Sequence, residues 1–315
     1  MLNLKPQLAN DADIATVKYP CIFQPKIDGV RALCLNGTLT GRSLDSFKGF
    51  GITEAWSKPE FEGLDGEMIY GDNPASSERL CSLTTGAMSR FKGVTEPAPL
   101  SWHVFDLLTP TTVNLSYERR YEALASRVDD LDNPLVKLVP SWRVANREHL
   151  EELLAKAFEQ GYEGGILRNP HSLPKPGRPD KNQQLMRFKP WQAAEILVTG
   201  LTEGNSNENE ATTNSLGRTE RSSAQDGMVP NGRVGSLQGL LLEDMICAMS
   251  KRLLFPKGLA ITVSKGEMTT PEAEYYWQHP EKIIGYTATF NSMTHGVKDL
   301  PRFPIFKSLR MKEDM

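Results

Sequence analysis

Apolar residues in the first half of the chain fall in short runs punctuated by turn residues. VRALCL and TLTGRS flank Asn36-Gly37, a pair that tolerates the positive φ angles of a type I′ turn, so this stretch predicts a β-hairpin. LDGEMIY (64–70) and WHVFDLL (102–108) predict further strands. After Asn146 the period changes: Leu150, Leu153, Leu154, Ala157 and Phe158 share one face, which predicts a helix capped by Asn146 and stopped at Gly161. EGGILR (163–168) predicts a short strand directly behind it. The last third predicts short strands and one helix, with Thr270 as cap and Pro271 in its first turn.

One segment breaks the pattern. Residues 203–233 are rich in Asn, Ser, Thr and Gly with almost no large apolar side chain, which predicts a long flexible loop or linker. Strand-like VTGL precedes it and VGSLQGLLLED follows, so the loop belongs inside a second domain whose boundary falls near Trp191. The expected organisation is α+β, with domains at 1–191 and 192–315.

Composition narrows this only in part. A chain of 315 residues suits one large and one small domain, and 39% hydrophobic residues suffice for real cores. The formal net charge of −3 excludes a uniformly basic nucleic-acid binder, so any such contact must come from local patches. Cys21, Cys34, Cys81 and Cys247 form no CxxC pair, and His103, His149, His171, His279 and His295 show no metal-ligand spacing. No signal-like stretch opens the chain and no apolar run approaches a membrane span. A soluble protein of a reducing compartment is expected, with no membrane partner and no evident dimer segment, hence a monomer.

Chemistry enters at residues 26–31, Lys-Ile-Asp-Gly-Val-Arg. An enzyme that parks a nucleoside monophosphate on a lysine needs the amine as nucleophile, a glycine where backbone meets nucleotide, and Asp and Arg for sugar, phosphate or metal. Alone the hexapeptide is weak, since an exposed lysine beside an Asp-Gly turn is the bland reading. Six further patterns follow it in order: Gly41-Arg42-Ser43, Leu64-Asp65-Gly66-Glu67, Val104-Phe105-Asp106-Leu107, Glu163-Gly164-Gly165-Ile166, Met186-Arg187-Phe188-Lys189, and Arg302-Phe303-Pro304-Ile305-Phe306 through Arg310.

That ordered series resembles the ATP-dependent DNA ligases, in their compact phage-like form, within the covalent nucleotidyltransferases. The resemblance implies a nucleotidyltransferase (adenylation) domain with mixed and antiparallel sheets, then a small all-β OB-fold domain. It implies ATP as substrate with Mg²⁺ or another divalent cation, nicked double-stranded DNA as partner, and a cytoplasmic setting, that of the host if the source is viral. Lys26 would be the nucleophile. Gln24, Pro25, Ile27, Arg31, Arg42, Glu67, Phe105, Arg187, Lys189 and Arg310 would bind nucleotide, with Phe105 stacking on the adenine and Arg310 orienting pyrophosphate, helped by Lys312. Glu67, Glu163 and Asp28 would hold the metal. Nearby cations and metal should depress the Lys26 pKa so that the amine can attack. Two positions depart from the family pattern: Arg187 replaces a lysine, and Gln24 replaces an acid that reads the adenine amino group. DNA contacts would come from Lys175, Arg178 and Lys181 and from Arg218, Arg221, Ser222 and Ser223 in the polar loop. An RNA ligase or a GTP-using capping-type enzyme stays open as an alternative, and a non-catalytic DNA-binding relative is a distant third. The short stretch before Lys26 leaves no room for a separate DNA-binding domain, which points to a minimal ligase.

Overall fold

The computed structural model describes residues 5–75, 79–177, 183–213, 217–246, 253–297 and 300–310. The chain divides into two compact units, the break falling between Lys189 and Pro190.

The strands of the first unit are β1 (Asn10–Asp11), β2 (Cys21–Lys26), β3 (Val30–Leu35), β4 (Thr38–Thr40), β5 (Leu64–Tyr70), β6 (Leu100–Leu107), β7 (Val136–Leu138), β8 (Trp142–Val144), β9 (Gly164–Arg168) and β10 (Leu185–Phe188). They form two five-stranded mixed sheets, ordered β1-β10-β9-β2-β8 and β4-β3-β5-β6-β7. Helices α1 (Ile52–Trp56), α2 (Leu80–Ser89), α3 (Tyr117–Leu131) and α4 (Arg147–Glu159) accompany them.

Local chemistry explains several of these elements. Asn36 and Gly37 turn with φ of 54° and 72°, as the hairpin requires, and the Glu62 carboxylate accepts both of their N–H groups at 2.9 Å. Asn146 Oδ1 accepts the His149 N–H at 2.9 Å to cap α4, and Gly161 takes φ 93° beyond its end. Buried Trp56, Phe61 and Trp102 centre the core of the second sheet, the Trp102 ring standing edge-on to the other two at 6.1 and 6.0 Å. Helix α3 turns Tyr117, Arg120 and Leu124 inward, with Tyr121, Val128 and Leu131 packed beside them, so one buried charge sits on an otherwise apolar face.

The second unit holds β11 (Trp191–Asn207), β12 (Ala211–Thr213), β13 (Thr219–Arg221), β14 (Met228–Leu241), β15 (Met245–Ile246), β16 (Leu253–Phe255), β17 (Ala260–Ser264), β18 (Thr287–Val297), β19 (Leu300–Leu309) and helix α5 (Thr270–Gln278). Strands β11, β14, β17, β19 and β18 close a barrel around buried Ile196, Leu237, Val263, Ala288 and Phe290. The helix cap sits one residue earlier than expected. Thr269, not Thr270, caps α5, because Thr269 and Glu272 complete a reciprocal capping box with Pro271 in the first turn.

The loop expected at 203–233 is instead largely strand. Strand β11 runs on to Asn207 and pairs with β14 down to Asn207↔Met228, and β12 and β13 form a further antiparallel pair beyond. Backbone pairing needs no apolar core, so an exposed polar ribbon escapes a reading based on hydrophobicity. Asn209 ties its neck: Nδ2 donates to Asn207 Oδ1, Ser222 O and Ala224 O at 2.9 to 3.0 Å.

Cys21 and Cys34 are buried free thiols, while Cys247 lies outside the described residues. Among the described residues no helix is long and apolar enough to cross a membrane.

Candidate active site

One face of the first sheet carries a ladder of functional side chains. Antiparallel register sets Lys26 opposite Gly164, Gln24 opposite Ile166 with Arg187 on its far side, and Ile22 opposite Arg168 with Leu185 beyond. Since alternate residues share a face, Lys26, Gln24, Ile166, Arg168, Leu185 and Arg187 all point the same way. Gly164 permits the tight pairing, because a Cβ there would run into the Phe188 carbonyl oxygen.

The opposing sheet supplies the rest. Arg31 on β3 pairs with Glu67 on β5. A register shift between Asp65 and Gly66 leaves Phe105 as the extra residue of β6, between partners Val104 and Asp106. Such bulges re-aim a side chain, and the Phe105 ring faces the cavity. Gln24, Pro25, Lys26, Ile27, Arg31, Arg42, Glu67, Phe105 and Arg187 line this one cavity of about 190 Å³. Leu8, Ala9, Val139, Ile166, Arg168 and Leu185 complete it.

At one end of the ladder a single carboxylate holds two ammonium groups: Glu163 pairs through Oε2 with Lys26 Nζ and through Oε1 with Lys189 Nζ. Burial pushes the Glu163 pKa up, but the two lysines outweigh it and hold the carboxyl at about 2. Burial pulls Lys26 down, yet the carboxylates of Glu163, Glu67 and Asp28 raise it overall. Without metal or nucleotide, the direction at Lys26 is thus opposite to the depression expected once cations and metal gather there. Lys189 is lowered, by burial first and by Lys26 second. Glu67 makes no hydrogen bond or ion pair among the described residues, and burial pushes its carboxyl up to about 7 against the pull of Lys26 and Arg31.

Behind Phe105 lies a charge network that the sequence motifs did not reveal as a unit. Arg31 forks onto Asp65, with Nε–Oδ1 at 2.9 Å. Arg120 takes both oxygens of Asp106 at 2.8 and 3.0 Å, and Arg168 Nη1 shares one of them at 3.1 Å. The Arg31 and Arg168 guanidinium carbons lie 5.3 and 5.4 Å from the Phe105 ring centre. Asp65 and Asp106 stood inside recognised patterns, but Arg120 and Arg168 carried no signal beyond their place near them.

The remaining expected residues fall elsewhere. Asp28 is buried just beyond the nucleophile, and Arg187 also pairs with Asp11 at 2.7 Å. Arg310 belongs to the second unit, where it ion-pairs with Glu195 and its N–H donates to the Thr287 carbonyl at 2.9 Å. Lys175 is half-buried; Arg218, Arg221, Ser222 and Ser223 are exposed on the ribbon. Arg178, Lys181 and Lys312 lie outside the described residues.

Comparison with known proteins gives the same direction. The model of the ATP dependent DNA ligase domain matches residues 6–189. A DNA ligase of African swine fever virus is 26% identical over 192 residues, 58% of this chain and 45% of its own length. DNA ligase 2 of Methanosarcina acetivorans is 27% identical over 211 residues, 60% of this chain and 36% of its own. The chain thus spans less than half the length of these relatives. In fold, a solved Lig E DNA ligase superposes over 97% of this chain and 98% of its own with a TM-score of 0.66 at 19% identity. The mixed α+β first unit and the closed five-stranded barrel agree with the nucleotidyltransferase and OB-fold architecture of such structures.

Proposed function

The chain belongs to the ATP-dependent DNA ligase family, and from that premise we propose that it seals nicks in duplex DNA through an AMP group carried on Lys26. The observation that carries this reading is the shared grip of Glu163 on Lys26 and Lys189, with Lys26 lining a cavity that Phe105 also lines. A buried lysine gathered with a second ammonium and two acids suits nucleophilic attack on an anionic phosphoryl group.

In the proposed sequence Lys26 Nζ attacks the α-phosphorus of ATP; the N–P bond forms, the bond to the bridging oxygen breaks, and pyrophosphate leaves. The AMP then passes to a 5′-phosphate at the nick. Attack by the 3′-hydroxyl on that activated phosphate releases AMP and joins the strand. Lys189 and Arg31 offset negative charge as it develops on the phosphoryl oxygens. Arg42 and Arg187, which line the same cavity, add to that field. Phe105 offers a flat apolar surface to the base.

Because Lys26 is protonated by the pull of Glu163, its proton must leave before attack, and any drain on the Glu163 charge favours that. The donor set fits a divalent cation: Glu67 is a partly buried carboxyl lacking a partner among the described residues, and Glu163 stands on the same charge network. Among the described residues no three acidic, His or Cys side chains are grouped to hold a metal ion by themselves, so a divalent cation here would need phosphate oxygens among its ligands. Glu67 and Glu163, with Asp28 nearby, would hold it, and it would neutralise phosphate charge during transfer.

The exposed Arg218 and Arg221 of the polar ribbon, with Lys175, suit phosphate contacts that position DNA without reading its sequence. The solved Lig E protein is described as binding DNA with a minimal scaffold, and the same economy is proposed for this chain. Offering nicked DNA and nicked RNA duplexes with ATP tests the reading: sealed DNA is expected, and sealing confined to RNA would overturn the substrate assignment.

A further inference from the structure

Helix α3 reaches the cavity wall from behind. Its first residue, Tyr117, is buried, and Tyr121 lies one turn further along the same face. The Tyr117 hydroxyl donates to the Phe105 carbonyl at 2.9 Å, and the Tyr121 hydroxyl donates to the Val139 carbonyl at 2.7 Å. Phe105 and Val139 both line the cavity that Lys26 lines. Two neighbouring phenols thus grip the backbone of two wall residues.

The grip falls where the sheet itself gives none. Phe105 is the extra residue of the β6 bulge, without a register partner on β5, and the pairing of β6 with β7 ends at Val104. A carbonyl left out of the ladder needs a donor, and Tyr117 supplies it. Val139 follows the last residue of β7, and its N–H donates to the Val104 carbonyl at 2.9 Å. It also belongs to the apolar cluster of Ile27, Ile69 and Leu80 against which Phe105 packs. The two hydroxyls therefore fix one wall of the cavity, beside the residue that follows Lys26.

Tyr117 is itself held in place. Its ring centre lies 4.4 Å from the Arg168 guanidinium carbon and 5.5 Å from that of Arg120, and Asp106 ties both guanidinium groups. Burial raises both phenols above their ordinary 10, Tyr121 to about 12, so each keeps the proton it donates.

We propose that Tyr117, with Tyr121 beside it, is a positioning residue that aims the Phe105 ring at the bound nucleotide by way of the bulge carbonyl. The inference rests on the lysyl-nucleotide reading above and deepens it, since neither tyrosine lines the cavity. A ring held for the base strengthens binding equally before and during transfer, so its loss raises the ATP concentration needed and leaves the maximal rate alone. A tyrosine that only stabilised the fold would not produce that split.

The test is single-turnover adduct formation with α-phosphate-labelled ATP over a range of ATP concentrations. Tyr117→Phe removes the hydroxyl and keeps the ring: half-saturating ATP should rise by roughly 3- to 10-fold, with the maximal rate within about 2-fold of wild type. In the Phe105→Ala background, which leaves no ring to aim, Tyr117→Phe should add no further rise. A smaller rise, a maximal rate that falls as far, or an equal added effect without the Phe105 ring overturns the proposal. Tyr121→Phe should act in the same direction and serves should Tyr117→Phe fail to fold; unchanged half-saturation there overturns the proposal. Normal wild-type labelling with no tyrosine effect defeats this inference alone, whereas a wild-type protein that takes no label defeats the function with it.

Discussion

Lys26 at the end of β2 ion-pairs with buried Glu163, the residue just before β9, and the same carboxylate also holds Lys189. In this arrangement the acids around Lys26 favour its protonated form and oppose attack on phosphate. Glu163 therefore decides when Lys26 becomes reactive, and most of the expected behaviour follows from that link.

Replacing Glu163 by Gln removes the charge that raises Lys26 and lets burial lower its pKa. Modification of Lys26 by an amine-reactive reagent, followed against pH by mass spectrometry, should begin at lower pH in Glu163→Gln. Adduct formation with ATP should nonetheless fall by roughly 100-fold, since a carboxylate proposed to hold the divalent cation is lost. An unchanged alkaline midpoint would separate Lys26 from Glu163.

Glu67 has the opposite effect on the resting protein. Its folded pKa of about 7 lies above the ordinary 4.5, so its contribution to stability is present below pH 4.5 and is lost as pH rises through 7. Glu67→Gln should raise the stability of the ligand-free protein by about 2 kcal/mol at pH 8 and by little at pH 4. Thermal melts at the two pH values check this, although the same change should weaken metal-dependent labelling.

Acid destabilises through different groups. His103, buried against Ser101, is held down at about 4 by burial, below its ordinary 6.5, and Glu163 is held at about 2, below 4.5. Both contribute stability that is fully present above their ordinary values and lost as pH falls through the folded ones. Between pH 6.5 and 4.5 the loss through His103 is opposed by the gain through Glu67, so melting temperature should change little there and fall below 4.5. His103→Gln should unmask the Glu67 effect, with melting temperature rising as pH falls through that window.

The Asp106 carboxylate neutralises two buried guanidinium groups. Asp106→Ala would leave Arg120 and Arg168 buried and unpaired, a loss of about 3–5 kcal/mol measurable by urea unfolding. A loss below about 1 kcal/mol would show that the network is not stabilising the first unit.

The polar ribbon can be removed at its neck, because Asn207 and Met228 are register partners. Replacing residues 208–227 with a two-residue turn should leave the barrel folded, weaken nick binding, and reduce the salt slope by about two for the loss of Arg218 and Arg221. Binding measured by fluorescence anisotropy across a salt series gives both quantities.

How much of this was legible follows from what each residue signals. Asn36-Gly37 and Asn146 act locally, so their turn and cap were readable. Lys26, Glu67, Phe105, Glu163 and Lys189 were named through ordered patterns, and the fold brings Lys26, Glu163 and Lys189 into direct contact. The helical spacing of Tyr117, Tyr121, Leu124, Val128 and Leu131 does mark α3, whereas the ribbon hid because backbone pairing leaves no trace in hydrophobicity. The raised pKa of Lys26 owes most to Glu163 and Glu67, brought to it from two distant segments, which no local pattern encodes.

The central claim is that Lys26 carries the nucleotide. Intact mass spectrometry after incubation with ATP and Mg²⁺, followed by peptide mapping, tests it most directly. The account predicts an added AMP on the peptide bearing Lys26, absent in Lys26→Ala. An adduct of equal yield in Lys26→Ala, or one mapped to Lys189, would contradict it.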